Sequence, residues 1–235
     1  WLITLNTSWR VIYRWDLLLI AIFIVAALSL RFPKSDEKSQ LDFRNMSKVA
    51  FKGQMPWFYL AIALYVAAEI GMASWLVTFL QEIRGVSVTA STQALSLFFA
   101  MIMIGRLVGG FFVHRIGYLR SILFASLGAL ICLAIGLYGP NNMAFFLPLT
   151  GFFFSIVFPT ITAAVSDNHT ENINSILGVL YTFAGIGALL GPWLIAWGSS
   201  LLGLQTGFAI NIILTALLLV SLFILLKGKS DGKSA

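Results

Sequence analysis

The chain has 235 residues, of which 59% are hydrophobic and only 10% charged, and its mean hydropathy is +0.93. A water-soluble fold cannot hide that much apolar surface, which excludes soluble enzymes and soluble binding modules. The net charge of +6 is accounted for by flanks that meet anionic lipid headgroups, and there is no soluble basic surface with which to bind nucleic acid.

In chain order, candidate spans fall at 12–31, 57–80, 93–113, 119–138, 143–165, 175–198 and 207–226. Each is about 20 residues or slightly longer, enough at about 1.5 Å per residue to cross a hydrocarbon core of about 30 Å. The runs show no period-2 alternation, and a backbone in lipid must satisfy its own hydrogen bonds, so they are read as helices. The sequence thus predicts an all-α, multi-pass integral membrane protein with about seven transmembrane helices. Segments 61–78, 93–113 and 178–198 carry small and polar residues along one side, as bundle-lining helices do, whereas 213–226 is uniformly apolar.

The first residue is Trp1, the first span begins almost at once and no signal peptide of the usual form precedes it, so a piece of a longer protein is expected. The only long connection, 32–56, is polar, charged and punctuated by Pro33, Gly53 and Pro56. The expected organisation is one leftover span (1–31), a cytoplasmic tether (32–56), a six-helix bundle (57–226) and a cytoplasmic tail (227–235).

Basic residues set the orientation. With the tether inside, that side collects Arg31, Lys34, Lys38, Arg44, Lys48, Lys52, Arg115, Arg120, Lys227, Lys229 and Lys233, against Arg10, Arg14 and Arg84 outside. The loop from Asp167 to Asn174 has two acids and no base, but acids weigh little in this rule. A bacterial plasma membrane with a cytoplasmic C-terminus is the expected location. Cys132 lies mid-span and reads as a small core residue. His114 and His169 have no partners at ligand spacing, so neither a metal site nor a cofactor is expected. Of the N-x-Ser/Thr triplets at Asn6, Asn45 and Asn168, two fall on the cytoplasmic side and read as chance.

The third span ends in Gly105-Arg106-Leu107-Val108-Gly109-Gly110, followed by a basic turn containing His114, Arg115, Gly117 and Arg120. Small residues four apart permit close helix contact, and the turn's cations sit at the membrane face. This resembles the signature between the second and third helices of each half in the major facilitator superfamily of transporters. The family usually has Asp where this chain has His114, a departure that weakens an acidic latch to a neighbouring helix. One span, a charged tether and six spans is also the arrangement expected of such a twelve-span transporter cut within its first half. Tyr65-Val66-Ala67-Ala68-Glu69-Ile70-Gly71, Ser155-Ile156-Val157-Phe158-Pro159-Thr160-Ile161, and Gly185-Ile186-Gly187 with Gly191-Pro192 resemble the fucose-permease-like branch of proton-linked sugar symporters. The resemblance implies the C-terminal half of the fold, a missing N-terminal half, and proton and sugar as partners. It aligns Phe158 with a sugar-contacting aromatic that is normally Tyr.

The residues themselves point to a site. Glu69 is the only acid well inside a span, and a carboxylate at that depth must be paired, hydrated or protonated. Tyr65, Met72 and Ala73 share its helix face, with Trp75 and Phe79 adjoining. An aromatic beside a polar acceptor suits a sugar, whose C–H face stacks while its hydroxyls hydrogen-bond. The candidate substrate-contacting residues are Glu69, Tyr65, Met72, Trp75, Phe158, Ser155 and Tyr181. The candidate gating or structural residues are Gly105, Arg106, Gly109, Gly110, Arg115, Gly117, Arg120, Pro159, Gly191 and Pro192. Pro159 and Pro192 should each kink their spans. Gln93 and Ser96 open the third span at the outer entrance, Arg106 is expected at a gate or interface, and Asn211 is expected to be peripheral. The expected function is proton-coupled uptake of a sugar or sugar-like solute by alternating access. The alternatives are a drug or metabolite exporter of the same superfamily, and a non-transporting membrane receptor or assembly fragment. No enzyme is expected, because no nucleophile, base and third group cluster at one depth.

Overall fold

The computed structural model describes residues 9–29, 51–168 and 173–231, all of them helix or short connection. Helix α1 (Trp9–Ser29) forms one compact unit and everything from α2 onward another. The apolar run Leu17–Leu28 makes up most of α1, and Ser29 Oγ closes the helix by donating to Val25 O at 2.8 Å.

In the second unit, α2 (Met55–Glu82), α3 (Val88–Ile116), α4 (Tyr118–Tyr138), a 3-10 turn (Asn141–Phe145), α5 (Phe146–Phe154), α6 (Val157–Asn168), α7 (Ile173–Leu202), α8 (Leu204–Phe208) and α9 (Ile210–Asp231) follow in order. Six segments among the described residues are long and apolar enough to cross a membrane: Met55–Glu82, Val88–Ile116, Tyr118–Tyr138, Asn141–Asp167, Ile173–Leu202 and Leu204–Gly228. These coincide with the last six predicted spans, and α1 occupies the place of the first. Of the predicted tether, 32–50 lies outside the described residues, as do 232–235 of the tail; the remaining start of the tail continues α9 as far as Asp231.

Local chemistry sets the ends of these helices. Pro56 sits at the first turn of α2, where its missing N–H costs nothing. Gln54, next to it, donates its side-chain amide to Leu225 O on α9 (3.3 Å). Ser87 caps α3 by accepting the Ala90 N–H (3.3 Å). Gly117, at φ +89°, ends α3 and begins α4 with no intervening loop, a backbone state that a side chain would strain.

Helix α2 is the hub, lying along both α7 and α9, while α5 packs between α3 and α4. Its approach to α7 is backbone to backbone: a Cβ on Gly187 would meet the Ala63 carbonyl, and one on Gly191 the Ala67 carbonyl. Lipid offers helices no hydrophobic drive to associate, so this close packing is what holds such a pair together. Gly185 and Gly178, on the other side of α7, have open space around them. Only the second glycine of the Gly185-Ile186-Gly187 motif is therefore a packing residue.

The two prolines behave differently. The fifth predicted span is broken at Ser155–Ile156, four residues before Pro159. That is where a proline ring clashes with the i−4 carbonyl and removes the hydrogen bond to it. By contrast α7 runs unbroken through Pro192, so the ring there does not interrupt the helix as it does before Pro159. Close seating of Gly187 and Gly191 on α2 supports that helix from outside.

Candidate functional site

Glu69 lies at the middle of α2 and is half-buried. The fully buried Tyr65, one turn earlier on the same face, interacts with its carboxyl, although the Tyr65 hydroxyl makes no well-aligned hydrogen bond to any group. The second partner comes from α3: the Arg106 guanidinium acts electrostatically on both Glu69 and Tyr65. Arg106 is exposed, on a strip of α3 that also carries the exposed Gln93, Ser96 and Met103, spaced three to seven residues apart. The sequence placed Arg106 at a gate or interface; the structure adds that it works on the one deep acid.

The remaining candidates fall into distinct places. Met72 is completely buried. Trp75 is half-buried and its indole N–H donates to Pro192 O on α7 (3.2 Å), which fixes the ring beside the upper part of the α2–α7 contact. Ser155 is buried at the break between α5 and α6, where its hydroxyl donates to Phe152 O (2.6 Å) and sits opposite Gly105 of α3. Gly109 gives the same clearance to Ile156. The two α3 glycines thus accommodate the helix break, while Gly110 faces open space.

Phe158 and Tyr181 are brought together, their rings stacked at 5.7 Å and 9°. They are not beside Glu69. Tyr59 stacks on Phe183 at 5.2 Å, which sets Tyr181 alongside the start of α2. Glu69 lies ten residues further along α2 than Tyr59, about 15 Å at the helical rise. The aromatic pair therefore lies toward the end of the bundle that carries Arg115 and Arg120, whereas Phe154 packs edge-on against Tyr65 at 5.8 Å.

Four features were missed in the sequence. Arg84 donates to the carbonyls of Gly136, Leu137 and Gly139 (2.9, 2.7 and 2.9 Å) and to Asn141 Oδ1 (3.1 Å), capping the C-terminus of α4, with Phe79 under its guanidinium at 5.9 Å. The Gly139-Pro140 stop at the end of α4 was the available signal that a cation would be needed there. Asn211 is not peripheral but fully buried: its Nδ2 donates to Phe208 O (3.1 Å), and its Oδ1, without a partner, lies beside Gly71 of α2. Tyr118 Oη donates to Asp167 Oδ2 (2.7 Å), joining the basic turn to the end of α6. Tyr118 and Asp167 thereby supply a link in the region where His114 departs from the expected acid. Finally, Phe51 packs edge-on against Tyr59 (5.4 Å), so the last tether residues are held against α2.

The sequence profile of the Major Facilitator Superfamily matches residues 1–174. A Helicobacter pylori protein named for glucose/galactose transport is 28% identical over 134 residues, 57% of this chain and 33% of that protein. A glucose/galactose transporter of Brucella abortus is 27% identical over 157 residues, 66% of this chain and 38% of that protein. Among solved structures, a variant of the E. coli fucose:proton symporter FucP matches with a TM-score of 0.72 at 20% identity, covering 88% of this chain and 52% of the symporter. FucP in the outward conformation matches with a TM-score of 0.71 at 20% identity, covering 88% of this chain and 51% of FucP. The matched regions thus span about half of the solved transporters and less than two fifths of the curated relatives. With a profile match over most of its length and the fold to accompany it, the chain belongs to the Major Facilitator Superfamily, a family of transporters and not of enzymes.

Proposed function

We propose that this chain is the C-terminal portion of a secondary active transporter that takes up a sugar or sugar-like solute together with protons by alternating access, with Glu69 as the acid at its centre. The observation that carries this reading is Glu69 itself: a half-buried carboxyl in the middle of a membrane helix, beside Tyr65 and in the field of Arg106. An intramembrane acid held in that way can accept a sugar hydroxyl or bind and release a proton, and an arginine opposite it can take up the charge when the proton leaves. The relatives named for glucose and galactose, and the fold shared with a fucose:proton symporter, support a sugar as the solute. The Phe158–Tyr181 stack, set well to one side of Glu69, is assigned to closing the Arg115 end of the pathway in place of a direct sugar contact. The sequence-based orientation makes that end cytoplasmic.

The test is uptake of a labelled sugar panel into proteoliposomes holding the full-length protein, with and without an imposed proton gradient, beside Glu69→Gln. The expected result is saturable, gradient-driven uptake of at least one sugar. Glu69→Gln is expected to abolish the gradient dependence and to weaken binding by about 10- to 100-fold, the worth of one charge-assisted hydrogen bond. Sugar-independent proton movement, or sugar uptake indifferent to Glu69→Gln, overturns the proposal.

A further inference from the structure

Between α3, α4 and the broken α5–α6 segment lies a crevice of about 210 Å³ whose lining includes none of the candidate substrate-contacting residues. Val108, Phe112, Phe124, Phe153 and Ile156 give it apolar walls. On α3 it extends from Gly105 to Ile116, about 16 Å at the helical rise, and it reaches the membrane face at the basic turn. The helix break supports its existence: the interruption at Ser155–Ile156 sets Ile156 against Gly109 and leaves Phe153 as a wall.

Two observations indicate what fills it. Ser121, in the first turn of α4, lines the crevice and is 4% exposed, and its hydroxyl has no hydrogen-bond partner. A buried hydroxyl without a partner is costly and calls for an acceptor or donor supplied from outside the chain. His114, Arg115 and Arg120, close in sequence to the lining residues Ile116 and Ser121 at that end of the crevice, are all exposed. From the mouth inward the order is cationic, then a single hydroxyl, then apolar. A phospholipid has the same order: charged phosphate, ester carbonyl, acyl chain.

We propose that this crevice is a binding site for an anionic phospholipid of the leaflet on the Arg115 side. One acyl chain lies against Val108, Phe112 and Phe124, an ester carbonyl accepts from Ser121 Oγ, and the headgroup phosphate sits between Arg115 and Arg120. A free phosphate would meet the two arginines but would leave both the crevice and Ser121 unfilled. A helix is far too wide to enter a cleft of this volume. The lipid would bridge α3 and α4 across the break, next to the Tyr118–Asp167 bond, where its presence bears on how that end of the bundle opens.

The experiment is native mass spectrometry of the delipidated full-length protein, titrated with phosphatidylglycerol and with phosphatidylcholine of identical acyl chains. The variants are Arg115→Gln/Arg120→Gln, Val108→Trp to fill the crevice, and Ser121→Ala. Melting of each variant in detergent confirms that it is folded. The expected result is preferential retention of phosphatidylglycerol. The double arginine variant should weaken this by about 30-fold, since each cation near a headgroup contributes about a factor of five. Val108→Trp should abolish tight binding of either lipid, and glycerol phosphate should compete poorly. Equal retention of the two lipids overturns the proposal, as does phosphatidylglycerol binding that a folded Val108→Trp leaves unchanged, because headgroup charge alone would then account for it.

Discussion

Replacing glycines of α7 one at a time by alanine separates packing from composition, because Gly185 and Gly187 differ by only two residues and lie on opposite sides of the helix. At Gly187 and Gly191 the added methyl meets the Ala63 and Ala67 backbone of α2, which cannot swing aside as a side-chain tip would. Forcing such a contact in a packed interface costs about 1–3 kcal/mol. Against this stands the gain of about 1 kcal/mol in helix propensity that any Gly→Ala change brings within a helix. The net for Gly187→Ala or Gly191→Ala therefore lies between no change and a loss of about 2 kcal/mol. The double variant should lose less than the sum, because once the helices have moved apart for one methyl the second is partly accommodated. At Gly185 and Gly178 a Cβ meets nothing, so the same change should be neutral or stabilising by up to about 1 kcal/mol. Unfolding of the purified protein in mixed detergent micelles, followed by tryptophan fluorescence, reads the difference. Trp75, whose indole donates to Pro192 O, reports on the same interface. If Gly187→Ala and Gly185→Ala behave alike, the close approach of α2 and α7 is wrong.

Arg84→Ala should destabilise the bundle by about 2–3 kcal/mol, less than the sum of its bonds because water reaches the freed carbonyls at the membrane face, and Arg84→Lys should recover part of the loss, both measured in the same unfolding assay. Pro159→Ala restores the amide that α6 lacks toward Ser155; hydrogen exchange at 155–160 should slow by about tenfold as the helix closes, and an unchanged rate would mean that the break has another cause. Tyr118→Phe removes the bond to Asp167, and the expected result is faster maleimide labelling of a cysteine introduced at Ser166 in a Cys132→Ala background, with Tyr118→Gln restoring part of the protection. Asn211→Leu removes a buried amide whose Oδ1 has no partner; the melting temperature should change little or rise, whereas a fall of more than a few degrees would show that a ligand or water satisfies that oxygen in the working protein.

Hydropathy alone was sufficient to locate the membrane-crossing segments, because a lipid environment leaves the backbone no alternative to helices of about bilayer length. The same reasoning picked out Glu69, since an ionisable group deep in an apolar run stands out in one dimension, and it anticipated the break before Pro159, which is a local clash. What required the tertiary structure was everything that depends on which helix lies beside which. Arg106 is thirty-seven positions from Glu69 in the sequence, and its charge acts on the carboxyl only because α2 and α3 are antiparallel neighbours. Phe158 and Tyr181 look like members of the Glu69 cluster in a motif comparison, yet the parallel seating of Tyr59 on Phe183 puts them about 15 Å along the bundle from it. Arg84 reads as a loop charge until the end of α4 is placed within its reach, and Asn211 reads as peripheral until Gly71 is found opposite it. Burial in the bilayer is a property of a segment and can be summed residue by residue; contact between helices is a property of pairs, and only the fold assigns the pairs.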